Sequence, residues 1–311
     1  MNTQSSSQQA SPGKKTKRSR LILLEKWKDF GFAAPALVLL STFVFYPLLY
    51  SVYLSLTNWN MIKPNKEYIG FENYSKIFTG DMFAKVMKVT LTFTFIDVFF
   101  TLFFGLCLAL LFNVSSRLFN FLRMIVFMPY YISMVIAAMI FLWIYNDRYG
   151  LANSIVNWLG FDSINWLTNT GTALGAVVTV SLWKSVGFAM IIFIGGLRGI
   201  PQEYYEASNI DGASKFKQFR HITLPLLSPI TLFLVVTNFI SSMQVFQSIK
   251  IMTAGGPLNS TKAIVYWIYE MAFEDYRTGR ASALVVVFFI IIILLTILQF
   301  VVSKKKVHYE G

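Results

Sequence analysis

Six runs of apolar residues, each long enough to cross a hydrocarbon core, dominate this 311-residue chain. A membrane helix takes about 20 residues at roughly 1.5 Å rise each, and the runs fall near 31–57, 88–112, 123–145, 172–197, 225–249 and 281–302. In lipid every backbone amide must find its partner within the protein, which leaves helices or a closed barrel. Barrel strands are about 10 residues long and alternate in polarity, whereas these runs are longer and continuous. The expected fold class is all-α integral membrane, with six transmembrane helices. Composition agrees, since only 14% of residues are charged against about a quarter in soluble domains.

The formal charge of +12 is concentrated at the ends. Lys14, Lys15, Lys17, Arg18, Arg20, Lys26 and Lys28 precede the first run, and Lys304, Lys305 and Lys306 follow the last. An even number of spans puts both ends on one side, and the positive-inside rule makes that side the cytoplasm of a plasma membrane. Arg117, Arg123, Arg198, Lys215, Lys217 and Arg220 fall there too, although Lys63, Lys66, Arg148 and Lys250 on the outer side make the bias imperfect. Residues 1–30 then read as a cytoplasmic basic tail, with no cleavage site after a short apolar core to make them a signal peptide. Residues 31–57 form the first transmembrane helix, 58–87 an extracellular segment and 303–311 a second cytoplasmic tail.

Several functions are excluded. No aromatic-basic platform accompanies the charge, which argues against nucleic acid. Cys107 is the sole cysteine and His221 and His308 are the two histidines, so no metal site or disulfide framework is expected. No nucleophile–base pairing is recognisable, and no residue is read as catalytic. No Gly-x-x-x-x-Gly-Lys-Ser/Thr loop occurs, so the chain is not expected to hydrolyse ATP.

One polar stretch between two apolar runs stands apart: Glu203 to Ala213, continuing through Phe219, Ile222, Leu224 and Pro225. Pro201 suits a first helical turn, and Glu203 and Glu206 lie near the positive helix end. A short helix over about 201–210 is expected, followed by a reversal at Gly212, where positive φ is allowed. A second short helix starts near Ser214, and Pro225 and Pro229 mark re-entry into the membrane.

The order Glu206-Ala207, then Asp211-Gly212-Ala213, Phe219, Ile222, Leu224 and Pro225 resembles the EAA loop of ATP-binding-cassette (ABC) importer permeases. Weaker resemblances to the sugar-importer branch are Gly70-Phe71-Glu72-Asn73-Tyr74, Gly150-Leu151-Ala152-Asn153 and Gly255-Gly256-Pro257. The resemblance implies a type I importer permease core (MetI-like) over 88–302, with the EAA loop at 201–225 and one extra N-terminal helix. It implies that Glu206, Ala207, Ser208, Asp211, Gly212 and Ala213 couple the chain to an ATPase, Ser208 standing where alanine is usual. The implied partners are an ABC ATPase dimer that binds ATP and Mg²⁺, a second homologous permease, and a solute-binding lipoprotein or periplasmic binding protein. No cofactor is implied in this chain.

Charged residues inside spans cost about 2.5–3.5 kcal/mol each and so face the protein interior. Asp97 in the second run and Lys184 in the fourth lie at depths that differ by only about 5 Å, so a salt bridge between them is geometrically allowed. Trp183 beside Lys184 offers an aromatic face next to a donor, which suits a sugar. In the fifth run Asn238, Ser241 and Ser242 share a face that Gln244 and Gln247 extend. Such groups both donate and accept, as sugar hydroxyls require, and they also hold membrane helices together. The expected cargo is a carbohydrate: a sugar, oligosaccharide or glycoside. The alternatives are another small solute such as a polyamine, or an ion-coupled secondary transporter with Asp97 as its ion site.

Overall fold

The computed structural model describes residues 33–62 and 64–303. The basic clusters at both ends, with His308 and Lys63, lie outside the described residues. The chain divides into two compact units, 1–53 and 54–311. The described part of the first belongs to helix α1, Ala33–Ser55, which carries a π-helical turn at Ser41–Phe45. Its Leu39, Phe43 and Leu49 side chains are exposed.

The second unit is helical. After the end of α1 comes a short helix, α2 (Glu72–Phe78). Asn73 is buried there, its Nδ2 donating to the carbonyls of Ser55 (2.8 Å) and Thr57 (2.9 Å), while the Tyr74 hydroxyl meets Ser55 Oγ at 2.7 Å. The Gly-x-x-Asn-Tyr element is thus a clamp on carbonyls at a helix end. Asn153 does the same for a later loop. Its Nδ2 donates to the Asp147 and Ile164 carbonyls and its Oδ1 accepts from Ile164 N–H and Trp166 Nε1.

Among the described residues five helices are long and apolar enough to cross a membrane, or six with one bent pair counted as a span. The straight ones in the second unit include α3 (Asp81–Phe112) and, further along the chain, Ala173–Gly199 and Thr278–Val302. The third run differs from the single helix expected over 123–145. It forms α4 (Arg117–Phe127), a 3₁₀ turn at Met128–Tyr131 and α5 (Met134–Ile144), with a 101° bend. Pro129 sits in the break, where its missing amide hydrogen and ring oppose a continuous helix. Arg123, counted above among the cytoplasmic-side charges, is buried at 8% exposure. Its guanidinium bonds the Phe112 and Val114 carbonyls and Asn120 Oδ1, closing the C-terminal end of α3 where a cation is favoured.

Next come α6 (Leu151–Trp158), α7 (Ala173–Gly199), α8 (Gln202–Ile210) and α9 (Lys215–Gln218). The fifth run also departs from a continuous helix over 225–249. It is α10 (Ser228–Met243), a break at Gln244–Phe246, and α11 (Gln247–Met252). Pro229 lies in the first turn of α10, where it is tolerated. The chain ends with α12 (Ile264–Tyr269) and α13 (Thr278–Ser303).

Helix α7 is central. It packs along α3, buries Ala189, Met190 and Phe193 with Leu234 of α10, and buries Val177 and Val180 with Ala137 and Ala138 of α5. A separate cluster joins Val86, Met243, Ile264 and Leu284. The bent pair and the broken α10–α11 are therefore held against two straight helices.

Candidate functional site: a docking loop and a polar cavity

The loop forms as two helices around a reversal. Helix α8 ends in a Schellman motif: Gly212 takes φ 71°, its N–H bonds the Asn209 carbonyl at 3.1 Å, and the Ala213 N–H bonds the Ser208 carbonyl at 2.9 Å. These bonds satisfy carbonyls that a helix end leaves orphaned. Ser214 then caps α9. Buried Gln218 ties the two helices together, its Nε2 donating to Ser208 Oγ (2.9 Å) and Asn209 Oδ1 (2.6 Å). Ser208 is thus more than a small residue in an alanine position, because its hydroxyl bridges Gln218 and the Tyr205 carbonyl. Tyr205 in turn reaches Thr223 Oγ1 at 2.9 Å.

Glu206, Ala207, Asp211 and Gly212 are exposed, and Ala213 is half-buried. Two apolar side chains flank the reversal in the open, Ile210 at 88% and Phe216 at 70% exposure. Ile210 and Phe216 are apolar residues in a polar loop, a signal legible in the sequence, whereas the tie made by Gln218 is not.

The second feature is a cavity of about 430 Å³ bounded by α3, α7, the 3₁₀ turn and the break between α10 and α11. Of the interior residues singled out from sequence, Asp97, Lys184, Asn238 and Ser241 line it, with Ser242, Gln244 and Gln247. Ser241, Gln244 and Gln247 are exposed, Asn238 is half-buried and Asp97 and Ser242 are buried. Gln244 stands in the break itself, where backbone leaves helical geometry. Irregular backbone at membrane depth is tolerated where it lines a cavity, and transporters place such breaks at substrate sites.

Asp97 and Lys184 do not pair, although their helices touch. Ser242 Oγ donates to Asp97 Oδ2, while Asp97 Oδ1 is buried without a hydrogen-bond partner. Lys184 Nζ donates to the carbonyls of Pro129 (3.1 Å), Tyr130 (3.3 Å) and Ile132. The bend in the third span frees those carbonyls, and the ammonium's three hydrogens answer them. One turn on, Gly187 meets the Val126 carbonyl so closely that a Cβ would collide with it, and Phe188 stacks on Tyr130 at 4.9 Å. Lys184 is the clasp of the bend.

Trp183 lies off the cavity. It packs on Phe141, ring centroids 5.5 Å apart, and lines an apolar groove with Cys107 and Leu182. Successive helical residues point about 100° apart, so a helix that aims Lys184 inward turns Trp183 away. Ser181, Ser185, Ser248 and Tyr130 line the cavity as well. Ser181 and Ser185 were readable as an i, i+4 pair flanking Lys184; Tyr130 was not, because its position depends on the bend. Among the described residues no group of three metal-ligating side chains occurs.

Residues 101–308 match the family described as "Binding-protein-dependent transport system inner membrane component". The chain is 33% identical over 289 residues to the sulfoquinovosyl glycerol transport system permease protein SmoG of Agrobacterium fabrum, covering 90% of this chain and 94% of that protein. It is 33% identical over 261 residues to the trehalose/maltose transport system permease protein MalF of Thermococcus litoralis, covering 84% and 87%. Its fold is similar to a chain in the crystal structure of a bacterial ABC transporter that imports the acidic polysaccharide alginate, with a TM-score of 0.80, 22% identity and coverage of 93% and 99%. The chain belongs to the binding-protein-dependent family of inner-membrane permeases and is the multi-pass permease component of an ABC importer, whose ATP is bound and hydrolysed by a separate subunit.

Proposed function

We propose that this permease carries a carbohydrate, whether a sugar, oligosaccharide or glycoside, through the cavity at the α10–α11 break. The observation that carries the reading is the lining itself: exposed Ser241, Gln244 and Gln247 gathered where one span loses its helix. Their amides and hydroxyls donate and accept in turn, as a polyol needs. Trehalose/maltose transport by the MalF relative supports the same cargo class. A second homologous permease supplies the other wall of the pathway, and an extracellular binding protein delivers cargo. Both termini face the cytoplasm, in keeping with their basic clusters.

In this reading an ATPase dimer grips α8. Ile210 and Phe216 enter its cleft, Glu206 and Asp211 face its basic groups, and the Schellman turn transmits closure to α7 and α10, which the loop joins. The test is uptake of labelled neutral oligosaccharides by vesicles holding the complete importer, comparing the native chain with Gln244→Ala plus Gln247→Ala. Uptake should fall while the importer stays assembled. Loss of assembly with the variant would identify the two amides as helix glue, and intact uptake would remove the cavity from the cargo path.

A further inference from the structure

We infer that Asp97 is a specificity-determining residue that makes this cavity accept uncharged, hydroxyl-bearing glycosides and reject those carrying a carboxylate, phosphate or other anion. The inference rests on the carbohydrate reading and narrows it. Its basis is the charge and hydrogen-bond state of each group around the cavity.

One carboxyl group and one amine line the cavity, Asp97 and Lys184. The cation is committed: its hydrogens go to three backbone carbonyls of the bend, so it has none left with which to hold a cargo anion. The acid is not fully committed. Ser242 occupies Oδ2 and the Ser181 hydroxyl interacts with the same carboxyl group, while Oδ1 is buried without a hydrogen bond of normal geometry in a residue only 2% exposed. Buried polar atoms in native proteins are almost always bonded, so this oxygen calls for a hydrogen donated from the cavity. A second cavity-lining atom, Ser248 Oγ on α11, is also buried without a partner. Asn238 spends one amide hydrogen on Leu234 O at 2.8 Å, and Ser185 Oγ donates to Ser181 O at 2.8 Å.

What this wall offers is an acidic acceptor with a hydroxyl and amides nearby. A sugar hydroxyl donates to Asp97 Oδ1 and accepts from an amide or hydroxyl in the same wall. A uronate or phosphate brings acceptor oxygens to a carboxyl oxygen that itself needs a donor, with no free cation beside it, so acceptor faces acceptor where water is scarce. Permeases of the same fold do serve acidic cargo, as alginate shows, so the distinction is a property of the wall and not of the architecture.

The experiment uses vesicles containing the complete importer, its binding protein unchanged. The probes are a panel of labelled neutral disaccharides and the matching disaccharides whose terminal sugar is oxidised to the uronic acid. The readout is the ratio of neutral to acidic uptake. The native importer should favour the neutral member by at least about tenfold, and Asp97→Asn should bring that ratio down severalfold even as neutral uptake itself declines. Asp97→Glu, which keeps the carboxyl group, should preserve most of the ratio and guards against a merely misfolded Asn variant. The binding protein is common to all three, so its share of the preference cancels. A ratio unchanged in Asp97→Asn, or native preference for the uronates, overturns the inference and leaves the carbohydrate reading standing. Neutral uptake left intact by Gln244→Ala plus Gln247→Ala removes the cavity from the cargo path and overturns both.

Discussion

The docking loop and the cavity are built by opposite means. In the loop, each bond that sets the shape joins residues close in sequence: Ser208 to Ala213, Gln218 to Ser208 and Asn209, Ser214 to Lys217. In the cavity the decisive bonds are long-range. Asp97 and Ser242 are 145 residues apart, and Lys184 reaches back 55 residues to Pro129. A local structure tolerates exposure and keeps its form when the surroundings move, which suits a part that another protein must grip. A structure assembled across helices changes whenever the helices shift, which suits a site that must open and close.

The largest effect should come from breaking the long-range clasp. Among the described residues Lys184 is the side chain bonded to the Pro129, Tyr130 and Ile132 carbonyls; Lys184→Met leaves Pro129 O its bond from Ile132 N–H at 3.2 Å but takes that partner from the other two. Each orphaned group costs about 1–3 kcal/mol, offset in part because a buried ammonium is itself expensive. The net loss should be about 3 kcal/mol, read as a lower unfolding temperature of the purified protein in detergent. If the variant is as stable as the native chain yet transport disappears, Lys184 acts on cargo and the contrast between scaffold and site fails there.

Next is the loop's one left-handed residue. A Cβ at Gly212 meets nothing within 4 Å, so Gly212→Val is disfavoured by its φ alone, at about 1–2 kcal/mol. The protein should remain in the membrane in normal amount, while ATP-driven uptake falls more than about tenfold because the turn no longer fits its partner. Normal uptake would sink the docking role. Loss of the protein from the membrane would mean that the loop is less self-contained than its short-range bonds indicate.

This division also accounts for what the sequence disclosed. The loop was legible down to its turn: Gly212 at φ 71° and the helix start at Lys215 follow from glycine's freedom and serine's capping, which are local. Part of the cavity lining was legible too, since polar residues inside apolar spans have few places to face, although Trp183 turns away and Ser181, Ser185 and Tyr130 were not singled out. The geometry was not legible. Pro129 marks a break in the third span but not that Lys184 answers it, and nothing around Gln244 announces that α10 stops at Met243. The sequence supplies no glycine or proline there, and the break is settled by packing: Met243 and Ile249 are fully buried on either side of it. A salt bridge between Asp97 and Lys184 was geometrically allowed because depth alone was visible. The structure gives each a different partner, and the pairing could not be read without knowing the bend.

A smaller effect is expected across the cavity wall. Ser242→Ala deprives Asp97 Oδ2 of its hydrogen bond and should cost about 1–3 kcal/mol. A double-mutant cycle with Asp97→Ala should show coupling of about 1 kcal/mol or more, measured by thermal unfolding of the purified protein. Additive losses would mean that the two groups stabilise α3 and α10 independently.

The smallest effect belongs to Ser208→Ala, which restores the residue more usual in the EAA pattern. The change removes the hydroxyl that bridges Gln218 Nε2 and the Tyr205 carbonyl. Gln218 keeps Asn209 Oδ1 at 2.6 Å, and the Tyr205 carbonyl keeps its place in the helix ladder, so no buried group is left wholly unpaired. The cost should be about 0.5–1 kcal/mol, confined to the loop. Hydrogen exchange of the amides over 202–218 should quicken about threefold, with exchange in α3 and α7 unchanged. A change that spread into α7 would join the two regions energetically, and the loop would then carry its message through Gln218 and Thr223 as well as through the Schellman turn.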